Sequence, residues 1–316
     1  MKIVNLSEDL IEQATAIAKT NYEAERDFVP SLPSIENMPD LSYFIQKGYG
    51  TAALSNGEMV GYLCFYPYFE NAFGTTGVRG AFSPVHAHGA IEENRERIYS
   101  YLYQATADML VKDKVLSHAI ALYAHDTKAK NSFFINGFGM RCIDAISPLT
   151  PITPEKDQDC KFFELDRENK GLLTGLNKLM CNHLGSSPCF RPVPALPKEE
   201  FVAEKDSEDV RYFAAQKDGK IAAYMKIKDG GENFISNSRC VANICGACCL
   251  PEYRGTGLSR NLMAFIIEKL AEDGYTRLGV DFESLNPAAY RFWLKHFTAY
   301  TNSVVRRIDD AAIINR

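Results

Sequence analysis

No apolar run in this 316-residue sequence approaches the roughly 18 residues that a membrane-spanning helix requires. No secretory leader is expected either, because Glu8 and Asp9 follow Lys2 before any apolar segment builds up. A basic excess is also missing. The 35 Lys and Arg stand against 40 Asp and Glu, and a net charge of −5 argues against a nucleic-acid binder. No second pair of ligand-spaced cysteines accompanies Cys245-x-x-Cys248. On a strand those two thiols face opposite sides, so no metal is expected. The nine cysteines are an odd number, in a chain long enough to bury a core without staples. What is present is ordinary globular composition, 46% apolar and 24% charged, with length for about two domains at roughly 150 residues each. The expectation is a soluble, cytoplasmic protein with no membrane or nucleic-acid partner; its oligomeric state stays open.

The sequence repeats itself. Asp126, Ala129 and Phe133 match Asn286, Ala289 and Trp293, each pair 160 positions apart. Asn56-Gly57 and Asp218-Gly219, each between apolar β-prone runs, form a second matched pair. Such dipeptides signal a hairpin, because a type I′ turn needs positive φ at both positions. Three prolines at 148, 151 and 154 among polar residues mark a joint that holds neither helix nor central strand. We therefore expect domains at 1–150 and 161–316 with a linker at 151–160. Each half starts with a strand (Lys2–Leu6, Cys160–Leu165) and an amphipathic helix capped by Ser7 or Asp166. A hairpin, a strand, a long helix, a further strand and a last helix follow. That order predicts an α/β fold with a mixed sheet and helices on both faces.

The chemistry points to residues 244–270. An apolar strand ends at Cys248, Cys249 and Leu250; the turn Pro251-Glu-Tyr-Arg254-Gly255-Thr256-Gly257 follows. A helix then starts at Leu258 and Ser259, its apolar stripe formed by Leu258, Leu262, Phe265, Ile266 and Leu270. Glycines let backbone N–H groups approach a ligand, and the free donors at a helix N-terminus favour phosphate. Arg254 adds a charge. A purely structural turn is the other reading of two glycines. No Gly-Lys-Ser/Thr follows, so this is not a Walker loop, and Arg260 stands where a dinucleotide fingerprint needs its third glycine.

The run Arg254-Gly-Thr-Gly257-Leu-Ser259 resembles the R/Q-x-x-G-x-G/A signature of the GNAT N-acetyltransferase superfamily. Asn286-Pro-Ala-Ala289-Tyr-Arg-Phe-Trp293 is similar to that family's next motif. The resemblance covers residues 160–316 and, more faintly, the first half, which implies two tandem acyl-CoA N-acyltransferase-like domains. It implies that acetyl-CoA is a co-substrate held by Cys248, Cys249, Leu250, Arg254, Gly255, Thr256, Gly257, Leu258 and Ser259, with Asn286 and Trp293 beside it. An amine of a small molecule or peptide would attack the thioester directly. Glu283 and Asp281, two apart on one strand face, are the candidate bases. Trp293 stands where the family usually has an acidic tyrosine, and Tyr290, three residues earlier on the same helical face, could replace it; the alternative is that water protonates the thiolate.

The N-terminal half is expected to be a degenerate scaffold. Aligning Gly80-Ala81 with Gly246-Ala247 places Ser83–Ala90 opposite the cradle, with one glycine and no arginine. His86, His88, His118 and His125 invite a metal or acid–base reading beside that of satisfied side chains, and Phe65–Phe69 a pocket wall beside that of an edge strand. Three further alternatives stay open. The N-terminal copy could be the catalytic one, the protein could be a non-catalytic acyl-CoA-binding sensor, or it could be a nicotinamide oxidoreductase.

Overall fold

The computed structural model describes residues 1–155, 159–203 and 209–313. Residues 156–158 of the expected linker lie outside them. By its internal contacts the chain divides into two units, 1–144 with 299–316, and 145–298.

The first unit runs β1 (Lys2–Asn5), α1 (Ile11–Phe28), α2 (Ser42–Lys47), β2 (Tyr49–Ser55), β3 (Glu58–Phe65), β4 (Arg79–Ser83), β5 (His88–Ala90), α3 (Arg95–Lys112), β6 (Val115–Tyr123) and α4 (Thr127–Ile135). The division between units falls within β7 (Gly139–Pro148). Strands β1, β2, β3 and β5 form an antiparallel sheet in that order, and β4 pairs parallel to β6. Ala14, Ala18 and Tyr22 form the buried stripe of α1, spaced one helical turn apart. A second core beneath α3 joins Leu102, Leu110 and Phe133.

The second unit contains β8 (Lys161–Leu165), α5 (Thr174–Gly185), α6 (Lys198–Ala203), β9 (Arg211–Lys217), β10 (Lys220–Asp229), β11 (Val241–Cys249), α7 (Leu258–Glu272), β12 (Arg277–Glu283) and α8 (Pro287–Trp293). Its sheet order is β12-β11-β10-β9-β8, with only β11 and β12 parallel. The predicted stripe of α7 is buried at Leu258, Leu262, Ile266 and Leu270, while Phe265 is only half-buried. The last strand, β13 (Thr298–Arg307), pairs antiparallel with β6 and is grouped with the first unit. The mixed α/β architecture expected from element order is the one observed.

Both predicted hairpin turns have the required backbone. Asn56 and Gly57 sit at φ 53° and 90°, Asp218 and Gly219 at 51° and 75°. The two predicted caps differ. Neither Ser7 nor Asp166 makes a side-chain cap bond, because a 3₁₀ turn (Glu8–Leu10, Arg167–Leu173) leads into each helix and changes its entry. Among the described residues no helix is long and apolar enough to cross a membrane.

Candidate active site

The site is built where two strands part. β11 and β12 stay in parallel register from Val241–Arg277 to Ile244–Val280, and their pairing ends there although both strands continue. A bulge explains the parting. Against β10, register jumps from Ile227–Ile244 to Lys226–Gly246, leaving Cys245 unpaired, and a bulge bends the strand that carries it. Beyond that point the facing edges of Cys245–Cys249 and Asp281–Glu283 lack one another as partners. The Leu250 N–H donates to the Ala222 carbonyl of β10 at 2.9 Å, so it is engaged in the sheet. Strand alternation turns the Cys248 amide to the same side and the Cys249 amide towards the opening. Of the three residues that the sequence pattern puts against an acyl carrier, Cys249 therefore has the amide that faces away from β10.

The turn after β11 ends in Gly257, at φ 84°, which caps α7 without a side-chain bond. In this left-handed region an L side chain is strained, so glycine is needed to aim the first amides of α7 outward. Thr256 Oγ1 donates to the Tyr253 carbonyl at 2.8 Å and Arg254 Nε to the Cys249 carbonyl at 3.1 Å, which rigidify the turn. Arg254, Gly255 and Thr256 are exposed, whereas Leu258 is a core residue.

A cavity of about 630 Å³ opens on this turn and reaches the outer face of α8. Arg254, Arg260, Arg291 and Lys295 line it, against one carboxylate, Glu155. His296 in the same wall has its pKa lowered by burial and by the charges of Arg260 and Lys295, as a positive potential requires. Arg260 Nε is buried and has no acceptor among the described residues. Glu155 receives Arg260 Nη1 at 3.2 Å, and a Cβ on Gly257 would run into its carboxylate. Among the described residues that line the cavity, Glu155 is the one carboxylate, and it sits over the first turn of α7. Replacing Glu155 with Gln should tighten coenzyme A binding about 2- to 5-fold at low salt, with the gain shrinking at high salt; calorimetric titration checks this.

Beyond the parting, β12 carries both candidate bases. Glu283 is buried and ion-paired with Arg191. Asp281 is open to solvent, yet neighbouring protein and then Glu232 raise its pKa to about 6. Asn286 Oδ1 caps α8 by accepting from Ala288 N (3.2 Å) and Ala289 N (3.3 Å), and also meets His183 Nε2 at 3.2 Å. Tyr290 is 45% exposed and set edge-on to Phe282. Trp293 is 6% exposed, packed on Phe292 and Phe297. Its place is in the core, so it offers a ligand little surface. Burial raises the Cys248 thiol to about 11 and shifts Cys249 in the same direction, which leaves both protonated near neutral pH.

Sequence reasoning did not single out Glu155, Arg191, His183, Arg291, Lys295 and His296. A signal existed for Arg291, which lies on the helix that Asn286 starts; Lys295 follows in the turn after it.

Residues 181–297 match the model of the acetyltransferase (GNAT) family. The match spans a little over a third of the chain. That segment holds the parted strands, the glycine turn and Asn286. No protein of curated function matches the sequence significantly. Among solved structures the chain is similar to a GCN5-related N-acetyltransferase from Sphaerobacter thermophilus, with 11% identity, 98% of each chain covered and a TM-score of 0.55. It is also similar to the GCN5-related glucosamine N-acetyltransferase region of a fungal multi-domain β-N-acetylglucosaminidase, with 14% identity, 96% of this chain and 38% of that one covered, and a TM-score of 0.52. At these identities the likeness concerns the fold alone.

In the first unit the turn into α3 is Ile91–Asn94, not the Ser83–Ala90 segment that alignment on the Gly-Ala pairs suggested. β5 intervenes, which pairwise alignment could not foresee. That turn has Glu92 and Glu93 and no glycine. The His86–His88 pair is buried and lies outside it. His88 Nε2 donates to the Ala121 carbonyl and Nδ1 accepts from Tyr99; His118 bonds Val115 and Tyr103 likewise. Burial lowers the pKa of all three, His86 and His118 to about 4, so they are neutral residues of the core. Phe65 is buried inside its sheet, while Tyr68 and Phe69 are exposed.

Proposed function

We propose that the second unit transfers the acetyl group of acetyl-CoA to an amine of a small molecule or peptide. The observation that carries this reading is the parting of β11 and β12 directly before a glycine-capped helix. It supplies a free strand edge for the amide-bearing arm of the carrier and, at its end, donors and cations for the diphosphate. The orphaned Arg260 Nε and the four cations of the cavity fit that ligand.

In the reaction so assigned, Asp281 takes a proton from the ammonium of the acceptor, and the free amine attacks the thioester carbonyl. The Cys249 N–H stabilises the developing oxyanion, and the departing thiolate takes a proton from Tyr290 or water. With Cys248 and Cys249 held as thiols, attack by the amine itself is favoured over an acyl-cysteine intermediate. Asp281, Glu232 and Glu283 near the opening favour a cationic acceptor.

The first unit supports a second reading in the same proposal, that residues 1–150 are a copy of the fold without the cradle. Asp126 caps α4 by accepting from Ala129 N at 2.9 Å, as Asn286 caps α8 through Ala289. Glu92 and Glu93 at the equivalent turn would repel a diphosphate.

The test is thiol release from acetyl-CoA with a panel of primary amines, together with thermal unfolding. Amine-dependent release and stabilisation by coenzyme A are expected. Stabilisation by coenzyme A with no release for any amine would instead make the protein an acyl-CoA sensor.

A further inference from the structure

We propose that the first unit contains a separate binding site for a small organic ammonium ion. It is a cavity of about 240 Å³ bounded by α1, the end of β6 and the first turns of α3 and α4.

The floor is the carboxylate of Glu25, a residue only 3% exposed. Its Oε2 accepts the backbone N–H of His125 at 3.1 Å and its Oε1 accepts from His125 Nδ1 at 2.8 Å. Both permanent cations of the wall are engaged elsewhere. Arg95 binds Asp126 at 2.9 Å and the Ala90 carbonyl at 2.8 Å, and Lys128 binds Glu92. Three carboxylates (Glu25, Glu92, Asp126) therefore face two cations, and Glu25 is the one whose partner carries charge only when protonated.

A second, independent feature points to a ligand. Tyr123 lines the same cavity, is 5% exposed, and its buried hydroxyl has no hydrogen-bond partner among the described residues. An orphaned buried hydroxyl costs stability unless something fills its need. At the rim, Phe28 is 64% exposed although its ring stacks parallel to His125, centroids 4.9 Å apart and planes 4° apart. An exposed aromatic face beside a buried carboxylate suits a cation. The spare capacity is of accepting kind: second lone pairs on Glu25, the Tyr123 oxygen and His125 Nε2. A primary ammonium brings three donors. Glu92 and Glu93 at the entrance to α3 disfavour an anion. The volume lies below the usual range of roughly 300–1,000 Å³ for larger ligands, which limits the guest to a few carbons.

This inference stands apart from the acetyltransferase reading, because none of its residues belongs to the second unit. The experiment is calorimetric titration of the full chain with butylammonium, with 1,4-diaminobutane, and with inorganic phosphate as the anion. Saturable binding of an amine is expected, weakened at least 10-fold in Glu25→Gln and about 3- to 10-fold in Tyr123→Phe, and retained in Asp281→Asn. Tyr123→Phe removes a hydroxyl without a partner, so its unliganded unfolding temperature should hold or rise, which keeps the test valid if Glu25→Gln folds poorly. The proposal is overturned by absence of saturable amine binding, by preferential phosphate binding, or by amine binding that Asp281→Asn abolishes and the two first-unit variants spare.

Discussion

Asp281→Asn is expected to lower kcat for amine acetylation by about 10²- to 10⁴-fold while leaving the KM for acetyl-CoA within about 3-fold, the range for losing one general base. Asparagine keeps the shape and accepts no proton, so the effect isolates basicity. Asp281 is suited to the task by its surroundings: desolvation by neighbouring protein and the charge of Glu232 raise its pKa to about 6. The sign follows directly. The ionised form is the base, so kcat/KM of the unaltered protein should rise as pH increases through about 6 and level off above it. The variant should lack that limb. Glu232→Gln removes a negative neighbour, lowers the Asp281 pKa and moves the limb to lower pH. Glu283 is the weaker candidate because a proton accepted there would break its ion pair with Arg191. Activity of Asp281→Asn within 3-fold of the unaltered protein, with the limb intact, would remove Asp281 from the mechanism and return Glu283 to it.

Local features of this chain are legible in its sequence. The Asn56-Gly57 and Asp218-Gly219 turns can be read because positive φ at two successive residues admits few residue types. Asp126 and Asn286 can be matched because a cap acts on an amide three residues away, within reach of a short motif. The strand–turn–helix at 244–270 is legible for the same reason. What escapes depends on partners distant in sequence. Glu155 reaches Gly257, Arg191 reaches Glu283 and His183 reaches Asn286, each across about a hundred residues with no pattern between them. The bulge at Cys245 is a property of register with β10, so composition cannot reveal where β11 leaves β12. The same register removes the Leu250 amide from the candidate donors. Trp293 illustrates the opposite limit: a motif resemblance singles it out, but packing on Phe292 and Phe297 decides that it faces the core.

Gly257→Asn is expected to weaken coenzyme A binding at least 10-fold, against less than about 3-fold for Gly255→Asn. The two glycines share a left-handed backbone, φ 84° and 76°, and asparagine tolerates that region better than other L residues, so backbone strain is closely matched. They differ in space. A side chain at 255 meets nothing within 4 Å, whereas one at 257 enters the volume over the α7 amides that Glu155 now covers. Binding is read as ligand-induced stabilisation, which amounts to about 2.7 kcal/mol at a hundredfold excess of ligand over Kd, and each variant's own unliganded unfolding is the reference. A further substitution separates the two reasons for loss. Combining Gly257→Asn with Glu155→Ala relieves the clash and should restore unliganded stability. It should not restore binding, because the asparagine side chain still lies where the diphosphate must approach the amides. If the double variant binds coenzyme A as tightly as the unaltered chain, or if Gly257→Asn alone does, the first turn of α7 is not the anion cradle and the ligand must be held elsewhere.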